Sequence, residues 1–289
     1  LIKLALSSLE ERALLLHCLI IAMTNSQYQL IRHNLGRRRL QMFYRYTFIL
    51  ITVAVGFGFA GLFNVERLVD GIPSIWKLLS EMIPPDFSRW KEWFIPLLDS
   101  LAMSIAGTAI AVFISLPLCL LAARNTAPNK FLFYIARLIL NFSRAIPELI
   151  MGMIFVAAVG FGKLPGTLAL GLHSVGMVGK FFAESIELSS PLPVEAARAA
   201  GANHAQVIYH SILPQVLPQM ADVTFYRWEY NFRASMVVGA VGAGGIGLEI
   251  ISSLRLIKYQ EVCALLIVVL IMVTMVDSLS NYLRKNFVG

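Results

Sequence analysis

Residues 96–123 read PLLDSLAMSIAGTAIAVFISLPLCLLAA, 28 residues whose only charge is Asp99. A helix this long and this apolar is stable in the hydrocarbon core of a bilayer, about 30 Å thick and crossed by about 20 residues. Five more stretches have the same character: 43–63, 132–159, 164–182, 216–241 and 262–283. Charges interrupt the stretches 132–159 and 216–241, so their limits are the least sharply drawn. The chain has 57% hydrophobic and 14% charged residues, where soluble domains carry about a quarter charged. Soluble fold classes are thereby excluded. A spanning backbone must satisfy its own polar groups, which leaves an all-α polytopic membrane bundle of about six transmembrane helices.

The net charge of +7 would suggest nucleic acid in a soluble domain. In a membrane protein the same excess comes from basic cytoplasmic loops, so no nucleic-acid partner is expected. Between Thr24 and Thr47 lie five arginines and no acid, whereas 64–95 carries four basic and five acidic residues. This asymmetry puts the N-terminus, and after six spans the C-terminus, in the cytoplasm. Residues 1–41 are expected to form a cytoplasmic N-terminal segment, with 1–23 peripheral or an upstream extension because Glu10, Glu11 and Arg12 interrupt any span there. Residues 42–289 form the transmembrane domain. On the external side, 72–83 suits a surface helix stopped by Pro84-Pro85, with Trp90 and Trp93 as interfacial anchors. Cys18, Cys119 and Cys263 have no metal-ligand spacing and read as packing residues.

Gly242, Gly244 and Gly247 fit the spacing of a dinucleotide-binding turn. That turn needs a preceding strand and a soluble βαβ unit, and apolar helical stretches stand on both sides here. Four glycines in six residues, with Gly245, instead predict a break at membrane depth, inside the bundle or at its external mouth. Such a break serves either as a gate or as close helix packing.

The second long connection, 183–215, contains PVEAARAAGANHAQVIYHSILPQ. Pro193 suits a first helical turn, Glu195 complements the helix N-terminus, and the alanines favour a short helix before Gly201 turns the chain. The segment resembles the EAA motif of ABC-importer permeases: E-A-A, three residues, G, nine residues, I-x-L-P. Glu195, Ala196, Ala197, Gly201, Leu213 and Pro214 match, while Ser211 stands where the motif has Ile. SRAIPE (143–148), FYRWEYNFRASMVVGAVGAGGIG (225–247) and LRKNF (283–287) are similar to the phosphonate-importer permeases, over most of residues 90–287. Methionine-importer permeases carry a related EAA segment and glycine knot, so YRWEYNFR discriminates better.

The resemblance implies a type I ABC importer permease-like fold in the bacterial inner membrane, working as a homodimer with two cytoplasmic ATPase subunits and an external substrate-binding protein. The segment 183–215 would couple to the ATPase. No P-loop pattern is present, so ATP and Mg would be bound by the ATPase partner, and the chain itself would hold no cofactor and be no enzyme. The cargo would be phosphonate, phosphite, hypophosphite or phosphate. A permease for another solute such as methionine, an ion-coupled secondary transporter and an intramembrane enzyme are the rival readings; the second leaves the EAA segment unexplained, and the third lacks a catalytic cluster.

Charges at membrane depth face the bundle interior or water. Arg144 and Glu148 are four apart, as are Glu229 and Arg233, so each pair either neutralises itself on one helix face, unless Pro147 breaks the first, or lines the translocation pathway or its gate. Arg227 has no acid at i±3 or i±4 and is the candidate for an anion pathway, its planar fork matching tetrahedral oxyanions. Arg227 and Arg233 are six apart, about 120° from each other on a helix. His173 reads as a satisfied core histidine, and Asp277 as paired or inward-facing near the end of the last span.

Overall fold

The structure is a computed structural model that describes residues 40–288. The expected N-terminal segment 1–41 therefore lies almost wholly outside the described residues. The chain divides into two compact units, Leu1–Trp76 and Lys77–Gly289.

The described part of the first unit holds α1 (Leu40–Phe59) and most of α2 (Val65–Glu81). Helix α1 exposes large apolar side chains all round, among them Phe48, Leu50 and Phe59, as a helix surrounded by acyl chains does. Helix α2 starts earlier than the expected surface helix and ends just before Pro84-Pro85.

The second unit is built on α3 (Trp90–Ala122) and α6 (Lys163–Glu187). At 33 residues α3 is about 50 Å long. Its buried stripe, Ser100, Ser104, Gly107, Thr108, Ala111 and Ser115, recurs every three or four residues and is made of small side chains. A Cβ at Gly107 would sit 3.1 Å from the Cβ of Leu170, and one at Gly171 would sit 3.1 Å from Ile110. The backbones approach closely because small residues line the seam, the device by which membrane helices gain contact without a hydrophobic driving force. Ser115 Oγ donates across it to the Val175 carbonyl at 3.1 Å.

The stretch 132–159 is not one continuous helix. Helices α4 (Lys130–Ala145) and α5 (Glu148–Val159) meet at an 86° bend. Pro147 has no N–H to donate and holds Ile146 in an extended conformation (φ −88°, ψ 120°), which ends α4 one residue earlier.

After α6 come α7 (Pro191–Ala199), α8 (His204–Val207), a π-helical turn (Ile208–Ile212) and α9 (Leu213–Val238). A second π-helical turn, Gly239–Ala243, leads to α10 (Ile246–Arg255), bent by 59° from the preceding helix, and α11 (Tyr259–Val288) closes the chain. Helices α1, α3 and α11 are each long and apolar enough to cross a membrane, and each bent pair is so when joined. The fourth expected span lies in α6, where small and polar residues replace long apolar ones because protein covers it on several sides.

Three apolar clusters fill the bundle. Cys119, Phe182, Ile186, Ile212 and Val216 pack at the end where α3 finishes. Met103, Met151, Leu170 and Val238 fill the middle. Trp93, Ile246, Ala264 and Leu265 close the other end. Trp93 is 1% exposed, so it is a core residue and not the interfacial anchor expected of it, whereas Trp90 is 58% exposed. Cys119 is buried as a packing residue.

Candidate translocation site and coupling surface

Arg227 is 4% exposed, in the middle of α9. Its Nε donates to Ser174 Oγ on α6 (2.8 Å), Ser174 donates to Asn231 Oδ1 (2.9 Å), and Asn231 Nδ2 donates to Thr108 Oγ1 on α3 (2.9 Å). This chain of polar side chains ties three helices together and satisfies its members in turn. The guanidinium lies 4.2 Å from the centre of the Tyr230 ring, one helical turn on. Its Nη2 is buried with no hydrogen-bond partner among the described residues.

Beyond the Tyr230 ring lies Glu148. The Tyr230 hydroxyl donates to Glu148 Oε1 at 2.9 Å, and His173 Nε2 lies 3.2 Å from Oε2. His173 Nδ1 faces the Ile146 carbonyl at 2.9 Å, so the ring spans from α6 to the α4–α5 break. His173 is a satisfied interior histidine, as expected, and it is also a ligand of the candidate site. Tyr230 lies within the YRWEYNFR segment, but sequence reasoning does not single it out as a site residue. Its position three residues after Arg227, on the same helix face, is a signal that could have found it.

Neither expected ion pair forms. Arg144 donates to Asn141 (3.0 Å) within α4, because the bend at Pro147 carries Glu148 away from it. Arg233 pairs with Asp277 on α11 at 2.9 Å, while Glu229 accepts from Arg284 at 3.0 Å. Arg284 also reaches Asp222 at 3.0 Å. Partners on α11 outcompete the i,i+4 neighbour because helix packing places a full charge directly opposite each residue, whereas an i,i+4 pair is worth only about 0.2–0.5 kcal/mol. Glu229 is buried and Arg233 exposed, so the two point to different surroundings. Asp277 is paired, as expected.

The glycine knot lies at the end of the bundle where α3 begins and α5 turns into α6. Gly162 N donates to the Gly242 carbonyl (3.1 Å), and Ile246 N donates to Ser100 Oγ (3.0 Å). Gly244 (φ 77°, ψ −162°) and Gly245 (φ 72°, ψ −172°) occupy a region open essentially to glycine. Their environments differ: a Cβ on Gly244 would find its nearest neighbour at 3.7 Å, while one on Gly245 would overlap Ser100 and Met103. A Cβ on Gly247 would overlap the Met236 carbonyl, and one on Gly242 would meet the Phe161 ring. No strand precedes the knot among the described residues, which removes the nucleotide-binding alternative.

At the same end, Arg89 bridges Glu92 and Glu261 (2.5 and 2.6 Å), and Lys258 stands 3.5 Å from Glu261. Arg89, Lys258 and Glu261 line, with Asp86, a cavity of about 520 Å³. Hydrogen bonds from the backbone and hydroxyl of Ser88 hold the Asp86 carboxyl below its ordinary range. This polar mouth had no sequence motif to announce it.

The opposite end carries the EAA segment. Helix α7 starts at Pro191, so Pro193 lies in its first turn but Glu195 lies beyond it and does not complement the N-terminus as expected. Gly201 ends the helix with φ 84°. Gly201 N donates to the Arg198 carbonyl (2.9 Å) and Ala202 N to the Ala197 carbonyl (3.0 Å), the two bonds of a Schellman stop. Asn203 and Gln206 then form a capping box that starts α8. Ala197, with Val194, packs inward on the apolar cluster. Glu195, Ala196 and Gly201 are exposed. Leu213 and Pro214 begin α9, and Gln215 accepts from Ser190 N at 2.9 Å, fastening the start of α7 to it. His204 Nε2 lies 3.0 Å from the Thr126 carbonyl, so the segment also rests on the α3–α4 turn.

Comparison with known proteins places this architecture. Residues 115–288 match the family model described as binding-protein-dependent transport system inner membrane component. The chain is 62% identical over 242 residues to the phosphite transport system permease protein PtxC of Stutzerimonas stutzeri, covering 81% of this chain and 88% of that protein. It is 38% identical over 223 residues to the phosphate-import permease protein PhnE of Mycolicibacterium smegmatis, covering 77% of this chain and 42% of that one. Among solved structures, a chain of the MetNI methionine ABC transporter in an inward-facing conformation superposes with a TM-score of 0.58 at 19% identity, over 75% of this chain and 98% of that chain. The fold is that of type I ABC importer permeases, built from all-α membrane-spanning elements. The chain belongs to the family of binding-protein-dependent transport system inner membrane components.

Proposed function

We propose that this protein is the permease subunit of an ATP-driven importer for a small phosphorus oxyanion: phosphite, phosphonate, hypophosphite or phosphate. The observation that carries the cargo class is the extended identity to a phosphite permease. The site supports it, since a buried guanidinium with an open donor has the charge and fork geometry that phosphorus oxyanions require. A zwitterionic amino acid such as methionine has less use for an unopposed buried cation.

In this reading two copies of the chain enclose the pathway in the bacterial inner membrane, with N- and C-termini in the cytoplasm. Two cytoplasmic ATPase subunits bind ATP and Mg and hydrolyse it; this chain contributes no cofactor and no catalysis. An external substrate-binding protein delivers the cargo at the end holding Arg89, Glu261 and the glycine knot. The loop 183–215 transmits ATPase closure through the exposed face of α7, and the two permease halves rock between inward- and outward-open states.

The experiment is uptake of phosphite, methylphosphonate, phosphate and methionine by proteoliposomes holding the permease with its partner ATPase and binding protein. ATP-dependent uptake of at least one phosphorus oxyanion is expected. Methionine uptake in its place, or uptake driven by an ion gradient without ATP, would overturn the reading.

A further inference from the structure

Arg227 is a buried cation whose outer nitrogen has no acceptor among the described residues, and an unfilled guanidinium donor away from water is costly. An acid is nearby: Glu148 accepts from the hydroxyl of Tyr230, whose ring lies against the guanidinium. Yet the two make no direct hydrogen bond, because Tyr230 stands between them. Its ring face covers the guanidinium at 4.2 Å, and its hydroxyl takes Glu148 Oε1 at 2.9 Å. His173 faces the other carboxylate oxygen at 3.2 Å. A direct bidentate pair would close the fork to any third group. The Tyr230 spacer leaves the carboxylate close enough to balance the charge and too far to fill the donor.

Position adds a second observation. Glu148 is the first residue of α5, directly after the Ile146–Pro147 break at which α4 and α5 bend by 86°. Pro147 has no N–H with which to hydrogen-bond back into α4. A displacement of the Glu148 side chain therefore acts directly on the first residue of α5, at that break.

We propose that Glu148 is the resident counter-anion of Arg227: a carboxylate that balances the buried guanidinium between transport cycles and gives way when the cargo oxyanion occupies the open Nη2, turning α5 about the Ile146–Pro147 break. This rests on the phosphorus-oxyanion reading above. Tyr230 and His173 are the residues that hold the carboxylate in its resting place. Loss of the counter-anion leaves the cation unopposed, so the cargo binds more tightly inside the permease and leaves more slowly.

The test uses proteoliposomes with the full complex, ATP in the lumen, the binding protein and labelled phosphite outside, and rising unlabelled phosphite inside. Lumenal phosphite reaches the permease without the binding protein and reports its internal site alone. For Glu148→Gln, inhibition by lumenal phosphite should set in at about tenfold lower concentration, as expected for roughly one charge-assisted interaction, while maximal uptake falls. Arg227→Gln should abolish the inhibition, and the double variant should show none while transporting faster than Glu148→Gln alone. Tyr230→Phe should move the inhibition in the same direction as Glu148→Gln but less, and it decides the matter if the Glu148→Gln complex fails to assemble. Normal wild-type uptake with inhibition unchanged in Tyr230→Phe and Glu148→Gln overturns the counter-anion proposal alone. Absence of uptake of any phosphorus oxyanion by the wild-type complex overturns the cargo reading and this proposal with it.

Discussion

Arg233 on α9 donates to both carboxylate oxygens of Asp277 on α11, at 2.9 and 3.2 Å. The bond joins two helices through residues 44 apart in sequence, and it draws Arg233 away from Glu229, four residues back on its own helix.

The first prediction follows from that pairing. Both partners are substantially exposed in the chain alone, and in water such a pair is worth at most about 1 kcal/mol. Beside lipid the alternative is an unpaired charge, which costs about 3 kcal/mol on insertion scales. Arg233→Gln should therefore lower the yield and melting temperature of the assembled complex, Arg233→Gln with Asp277→Asn should recover most of the loss, and Arg233→Gln with Glu229→Gln should recover none. Recovery through Glu229 would show that the i,i+4 pair forms in the membrane. Thermal melting in nanodiscs reads out all three.

Gly201 sets up the second prediction. Its φ of 84° is a left-handed conformation, yet a Cβ there would find nothing within 4 Å. Substitution is opposed only by backbone strain, about 1–2 kcal/mol for an L residue, and asparagine tolerates it best. Gly201→Asn should couple nearly as wild type. Gly201→Val should lose the Schellman stop, leave the bundle's melting unchanged, and reduce co-purification of the ATPase and ATP-driven uptake together. If Gly201→Val retains both, α7 does not depend on this turn for coupling.

These two residues show what a sequence discloses. The Gly201 turn is local: a short helix and its stop follow from Pro193, the alanines and Gly201 in one short stretch, so both are legible from residue order alone, whereas the start at Pro191 and the Asn203 cap are seen only in the structure. The break at Pro147 is legible in kind for the same reason, though not its 86° size. The partners of Arg233, Glu229 and Arg284 are not, because local spacing offers i,i+4 neighbours and says nothing about which residue of α11 packs opposite. Trp93 is misplaced likewise: an aromatic near a span's end suits an interface, and only the packing of α10 and α11 over it reveals a core position. Arg227 is legible by subtraction, through its lack of a local acid, but its Tyr230–Glu148 surroundings depend on the bend between α4 and α5.

The third prediction separates packing from motion in the glycine knot. Gly247 is helical, and a Cβ there would overlap the Met236 carbonyl, whereas Gly244 has room for a Cβ and a backbone that L residues avoid. Gly247→Ala should force α10 away from α9 and reduce assembly. Gly244→Ala should leave the assembled complex abundant and slow uptake, since strain of about 1–3 kcal/mol shifts the balance between the knot's conformations without removing a contact. Equal loss of assembly in both variants would make the whole knot a packing device.

The last prediction concerns the shape of the cation. Arg227 uses three features at once: Nε bonds to Ser174, the flat guanidinium lies against Tyr230, and Nη2 remains open. Lysine keeps the charge but has no planar face and no second donor arm, so it cannot hold Ser174 and present an open donor at the same geometry. Arg227→Lys should therefore assemble like wild type and take up phosphite at a rate between wild type and Arg227→Gln. The loss from wild type to lysine reports the fork, and the further loss to glutamine reports the charge. If lysine restores the full rate, the site supplies positive potential alone. If lysine and glutamine are equally impaired, the geometry of the fork carries the function, and the anion is bound at Arg227 and not merely steered past it.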